Sequence, residues 1–267
     1  MGNPNFLGTF LVLMIPLGLY FALEKKKWWG LAVYSLVFLA LLATRTRGSW
    51  IGAFVAFFAY FFLTREKLGK TPGFYKKWMA LCLISVILLV FFIFTATFDF
   101  ENRLFSIFSE GFDVVTGAEG AESAGSSRVY IWNKVIGLIK ERPLLGYGVE
   151  NLSYAMHNAY HDVIVKDYGE YRNWDKAHNE YLHIAVSSGI PSLIVYLGFL
   201  VAALRKGFVN RHATSYHAFI LSALIGYLVQ ATFNIQMLLV YYLFLGYLAL
   251  ASREPRTVED SGETTRV

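Results

Sequence analysis

The chain has 267 residues, of which 56% are hydrophobic and only 16% charged, with a formal net charge of +5. Soluble domains run about 45–50% apolar and about 25% charged, so this balance excludes an ordinary soluble domain. The single Cys82 excludes a disulfide framework or a cysteine-rich metal site, and in so apolar a chain the basic excess is not read as nucleic-acid binding.

Apolar runs of roughly 18–20 residues suffice to cross a bilayer core of about 30 Å. Seven spans are predicted, at 6–23, 28–44, 48–63, 78–97, 184–204, 214–233 and 235–252. Met1 is followed by Gly2, Asn3, Pro4 and Asn5 with no basic stretch, so the first run is expected to stay in the membrane rather than be cleaved. Lys25, Lys26 and Lys27 follow span one, and Arg65, Lys67, Lys70, Lys76 and Lys77 follow span three. Arg205, Lys206 and Arg211 follow span five, and Arg253 and Arg256 follow span seven. If the spans alternate, all these clusters fall on one side, which the positive-inside rule makes cytoplasmic. The expected architecture is an all-α, polytopic transmembrane bundle. Residues 1–97 hold four spans and 98–183 a large extracytoplasmic loop with amphipathic helices. Residues 184–252 hold three more spans, and 253–267 form a cytoplasmic tail.

Within the loop, residues 109–127, rich in Gly, Ser, Ala and acids, read as a flexible connection. "SSRVYIWNKVIGLIKERP" then places Trp132, Val135, Ile136 and Ile139 at helical spacing, with a serine N-cap and Pro143 just past the end. This helix is expected to lie on the outer membrane surface. The Gly-x-Gly turn of "PLLGYGVEN" follows no strand, which argues against a dinucleotide site.

The charges outside the cytoplasmic clusters are the informative ones. Arg45 and Arg47 sit in the short connection between spans two and three. An arginine near hydrocarbon must snorkel to lipid phosphates or find an anion. Two residues apart on a helix, they would point to nearly opposite sides, and Gly48 would permit a close approach beside Arg47. Arg128, one turn before Trp132, either stacks on that indole or is a second anion ligand. His157 and His161 are four apart, a spacing that can chelate zinc from a helix, but no acidic residue completes an HExxH pattern. Of the other histidines, His212 and His217 fall near the cytoplasmic side. With Asp175 as N-cap, His178 would occupy the first turn of a helix, where the dipole disfavours the imidazolium. A neutral histidine there suits a general base; the bland alternative is an interfacial cap. His183, turned about 140° from it, reads as deeper and structural.

Several segments together carry a resemblance: "GNPNFLGTFLVLMIPL", "TRTRGSWIGAF", "SSRVYIWNKVIGLIKERPLLGYGVEN" and "AHNEYLHIAVSSGIPSLIVYL". Their ordered set resembles the O-antigen ligase and polymerase superfamily of bacterial envelope glycosyltransferases. Members are expected to carry further spans before the GNPN segment, where this chain starts. The resemblance implies a metal-independent GT-C-type enzyme of the inner membrane that needs no cofactor. Its donor would be a glycan on undecaprenyl pyrophosphate and its acceptor lipid A core, another glycan or a protein, the ligase, polymerase and protein O-oligosaccharyltransferase branches sharing these motifs. By motif position Arg47 and Arg128 would bind the pyrophosphate and His178 would act at the acceptor, with Arg45, Asn179 and His183 as secondary candidates. Two rivals are a glycolipid flippase, which would call for charged or broken-helix sites at mid-membrane, and a zinc hydrolase using His157, His161 and His178. The predicted spans show almost no such mid-membrane feature.

Overall fold

The computed structural model describes residues 3–95, 124–211, 216–236 and 238–253. All regular structure among them is helical: α1 (Pro4–Leu23), α2 (Trp28–Ala43), α3 (Arg47–Leu68), α4 (Phe74–Thr95), α5 (Ala124–Glu141), α6 (Leu152–Tyr168), α7 (Glu180–Val209), α8 (His217–Ala231) and α9 (Leu238–Ser252). Helices α1, α3, α4 and α7 are long and apolar enough to cross a membrane, and α2, α8 and α9 are shorter apolar helices. Each of the seven falls on one of the apolar runs predicted from sequence. His212, Arg256 and most of the predicted 109–127 connection lie outside the described residues.

Helix α1 packs against α2, α3 and α8, and α3 lies along α8. That last crossing is close because both helices present glycine: a Cβ on Gly52 would lie 2.7 Å from the Gly226 carbonyl oxygen. Small residues let backbones approach and so replace the hydrophobic drive that lipid cannot supply. Tyr20, Phe219 and Tyr247 meet at one end, where Gly207 packs on Leu221 and Ala251. There Tyr60 donates to Glu24 (2.9 Å), Lys67 approaches the same carboxylate (3.8 Å), and Asn210 donates to the Arg253 carbonyl. Lys25, Arg65, Lys67, Arg211 and Arg253 therefore gather at a common end. At the opposite end, Gln230 and Asn234 donate to the Thr9 hydroxyl (2.8 and 3.0 Å), and Phe233 packs over Gly48.

A second core belongs to the 124–188 region. Tyr130, Ile131, Val135, Leu138 and Ile139 of α5 bury against Leu152, Ala155, Met156 and Ile164 of α6 and Ala185 and Val186 of α7. The apolar stripe of α5 thus faces protein, not lipid; of its predicted members only Ile136 is largely exposed. The helix also starts at Ala124, so Ser126 and Ser127 lie inside it rather than capping it. Amphipathic helices are expected in the loop, but no bounds are predicted for α6. Its signals were Leu152, Ala155, Met156 and Ile164 at helical spacing and Gly169, which ends it in the left-handed conformation (φ 75°).

Span five departs most from expectation. Helix α7 is broken at Gly189 (φ 87°, ψ 165°). Pro191 has no N–H for the Ser187 carbonyl, and the Ile190 N–H turns away to the Pro143 carbonyl (2.7 Å). The "PLLGYG" turn fills the gap: Tyr147 N–H donates to Val186 (2.8 Å) and Gly148 N–H to Ser187 (2.9 Å). The Gly-x-Gly motif is therefore a backbone seat for a broken helix, with no phosphate role required. Beyond the break, residues 190–209 span about 30 Å, one bilayer core.

Gly189→Ala is expected to lower the thermal unfolding temperature of the detergent-purified protein clearly. A positive φ alone costs about 1–3 kcal/mol for a residue with a Cβ, and here that Cβ would lie 2.1 Å from the Leu144 carbonyl oxygen. Gly198→Ala, where a Cβ meets nothing within 4 Å, should leave it unchanged. Equal melting of the two variants would mean the break is dispensable.

Candidate active site

The connection between α2 and α3 is shaped by its threonines. Thr44 donates its hydroxyl to the Leu41 carbonyl (2.7 Å), and the Thr46 hydroxyl lies 2.8 Å from that of Thr44. Thr46 caps α3, its carbonyl accepting the Ser49 and Trp50 N–H groups (3.1 Å each). Arg45 is held between them at φ 52°. It therefore stands outside any helix, and Arg47 is the first residue of α3. The helical spacing argument fails for that reason, and both arginines reach the same side. Gly48 serves a different neighbour from the one expected, since Phe233 occupies the space beside it.

Arg45, Arg47, Arg128 and His178 line one cavity of about 310 Å³. Its remaining wall comes from Pro4 and Asn5 at the start of α1, Thr44, Thr46, Ile131 and Trp174. No acidic residue is found among the described residues that line it. An arginine in the first turn of a helix stands against the helix dipole, whereas an anion at that position is favoured by dipole and guanidinium together. Three guanidinium groups and an imidazole thus share the lining of one cavity.

His178 reaches the cavity from an extended arm. Trp174 packs against Tyr130 and Tyr168, and Trp132 donates its indole N–H to the Ala177 carbonyl (3.0 Å). The Trp132 ring packs beside Phe233. His178 then takes a left-handed backbone (φ 49°), and Asn179 caps α7, its side chain accepting the Leu182 N–H (3.0 Å). The expected cap, Asp175, is exposed and three residues ahead of His178 on the arm, so His178 precedes the helix and owes nothing to its first turn. The expected neutrality nevertheless has a cause. Burial pushes the imidazole pKa below its ordinary value, Arg128 adds to the effect, and Asp175 opposes it.

The other candidates separate. Asn179 is the cap just described. His183 lies on the first turn of α7 outside the cavity lining, with its Nδ1 buried and unpartnered among the described residues. His161 stacks on Tyr171, His157 meets the same ring edge-on, and His161 Nδ1 lies 2.9 Å from Asp162. Among the described residues no group of three or more His, Cys, Asp or Glu is placed to hold a metal. Contrary to the expectation of unbroken spans, α7 does carry a break, but its freed carbonyls are occupied by residues 147 and 148.

Asn5, Thr44, Thr46 and Trp174 were not singled out from sequence. The alternation of threonine and arginine in "ATRTRGS" was the available sign for two of them. A model of the O-antigen ligase family matches residues 32–197, more than half of the chain and including Arg45, Arg47, Arg128 and His178. No curated protein matches the chain.

Proposed function

Since the chain belongs to the O-antigen ligase family, a group of glycosyltransferase-type membrane enzymes, we propose that it transfers a glycan from undecaprenyl pyrophosphate to an acceptor hydroxyl at the outer face of the bacterial inner membrane. The observation that carries this reading is the convergence of Arg45, Arg47, Arg128 and a histidine of lowered pKa on one cavity. Arg47 and Arg128 hold the pyrophosphate, their planar forks giving paired hydrogen bonds without losing charge. Neutral His178 takes the proton of the acceptor hydroxyl as its oxygen bonds to the anomeric carbon. The bond from that carbon to the pyrophosphate oxygen breaks in the same displacement, which inverts the anomeric configuration. The departing lipid pyrophosphate carries the negative charge into the arginine site, already oriented to receive it. No metal is assigned a part, so EDTA is not expected to slow the reaction.

The test is transfer by the purified chain from a native lipid-linked glycan, offered lipid A core, free glycan and protein in parallel. Product on lipid A core supports the ligase branch, product on glycan the polymerase branch, and product on protein the oligosaccharyltransferase branch. Lipid translocation across a vesicle membrane with no product on any acceptor would favour a flippase.

The same reading requires the cavity to face outward, in a seven-span arrangement with the basic end cytoplasmic. Support comes from the gathering of Lys25, Lys67, Arg211 and Arg253 at the end opposite the cavity. Reporter fusions after Lys27, within 65–77 and within 205–211 should report cytoplasm, and a fusion in 109–127 should report the outside. A cytoplasmic signal from 109–127 would overturn the outward placement of the cavity.

A further inference from the structure

Glu180 is 2% exposed and has both carboxylate oxygens engaged. Oε1 accepts from the Tyr196 hydroxyl (2.5 Å) and the Gln236 amide (2.9 Å), and Oε2 accepts from the Tyr227 hydroxyl (3.0 Å). The three donors are neutral and come from three places: the far half of α7, helix α8 and the α8–α9 connection. In a straight helix Tyr196 would stand about 24 Å along the axis from Glu180. Their hydrogen bond is possible only because α7 bends at Gly189. Among the described residues Glu180 has no cationic partner; a buried carboxylate so placed is costly to keep, and an apolar residue would pack α7 on α8 more cheaply. Its presence calls for a role that packing does not fill.

That role follows from what lies on either side. His178 is two residues upstream, joined to Glu180 through the capping residue Asn179. The arm bearing His178 is held at its other side by the Trp132–Ala177 hydrogen bond. Arg47 is tied to α8 as well, since Phe233, two residues past the end of α8, seats on Gly48. The α8 strut therefore carries both halves of the cavity, the arginine corner through Phe233 and the histidine through Tyr227 and Glu180. Resting on the transferase reading above, we propose that Glu180 is a positioning residue, which fixes His178 against the arginine cavity by tying the start of α7 to α8 and to the bent far half of α7.

The test uses the full chain in lipid nanodiscs, with Glu180→Ala and Glu180→Gln beside wild type. Three quantities are read: transfer rate per folded protein, binding of undecaprenyl pyrophosphate, and the pH midpoint of His178 carbethoxylation by diethyl pyrocarbonate. The reagent attacks only unprotonated imidazole, so the midpoint follows the environment of His178 without any turnover. Among the described residues, the charged and titratable groups facing His178 are Arg128 on α5, Arg45 and Arg47 at the corner, Asp175 on its own arm and His183 on α7. In Glu180→Ala the rate is expected to fall about 10²-fold, the scale of loss when a reacting group is misplaced by an ångström. Lipid pyrophosphate binding should stay within about twofold, because the arginines are untouched, against that 10²-fold loss. The carbethoxylation midpoint should rise towards the ordinary histidine value as His178 leaves its seat. Glu180→Gln, which keeps one accepting oxygen, should fall between.

A rate that tracks only the amount of folded protein, with an unmoved midpoint, overturns the proposal; so does a loss of binding equal to the loss of rate. If Glu180→Ala does not fold, Tyr227→Phe removes one donor and keeps the carboxylate. It should move the rate and the midpoint in the same directions by less, and wild-type behaviour in both overturns the proposal. If wild type transfers to no acceptor, the midpoint alone decides: a shift in Glu180→Ala keeps the positioning role while the transferase reading fails.

Discussion

Replacing Arg47 or Arg128 by alanine is expected to reduce glycan transfer by at least about 10²–10³-fold, the cost of deleting one donor from a preorganised anion site. Both side chains line the 310 Å³ cavity together with Arg45 and His178. A pyrophosphate that gains charge as the sugar leaves needs donors already in place, because water in such a cavity would have to reorient during the reaction. Arginine to lysine should rescue only part of the rate, since lysine keeps the charge and loses the paired geometry. Arg45 joins this site, its left-handed position bringing it to the same side as Arg47, and Arg45→Ala should weaken transfer too. The measurement is turnover at matched protein level in membranes. Wild-type turnover in the Arg47 or Arg128 alanine variant would leave contact with lipid phosphates as the better account of these arginines.

Replacing His178 by glutamine should remove about 10²–10⁴-fold of the rate, the typical contribution of a general base. The protein should remain inserted and still bind lipid pyrophosphate, because the anion contacts lie on the arginines. His183→Ala should act through packing, lowering protein level more than specific activity, since His183 lies outside the cavity lining. The pH profile adds a signed test. Burial and Arg128 hold the His178 pKa below the ordinary value of about 6.5. The imidazole is therefore neutral and active above that lowered pKa, and transfer is lost as pH falls through it. Asp175 raises this pKa, so Asp175→Asn should move the acid limb to lower pH. If His178→Gln keeps its specific activity while His183→Ala loses it, the base has been assigned to the wrong histidine.

The residues that could be read from sequence were those whose meaning is set by chain position. Lys25 and Arg65 mark one end of the bundle because charge cannot rest in hydrocarbon, whatever the helices pack against. Arg47, Arg128 and His178 stood out because they broke that pattern in segments matching a known order. What could not be read depends on partners distant in sequence. Gly189 looks like any glycine two residues ahead of a proline until residues 143–148 are seen to occupy the gap. Val135 and Ile139 have the spacing of a surface-lying helix, and only α6 and the start of α7, folded over them, turn that face inward. The placement of Arg45 depended on a positive φ that no periodicity records. The lowered pKa of His178 is likewise not legible from helix position: enclosure beside Arg128 supplies the effect, not a helix dipole.

The hydrogen bonds from Gln230 and Asn234 to Thr9 join residues 221 and 225 positions apart. During synthesis the arginine corner is complete once Arg47 has emerged, yet Phe233, which seats behind it, is still untranslated. At about 5–20 residues per second the interval is roughly 10–40 s. A half-made chain therefore carries Arg45 and Arg47 before Phe233, which seats on Gly48 beside them, has been made. The contacts that join Gln230 and Asn234 to Thr9, and Phe233 to Gly48, close only as the last helices are added.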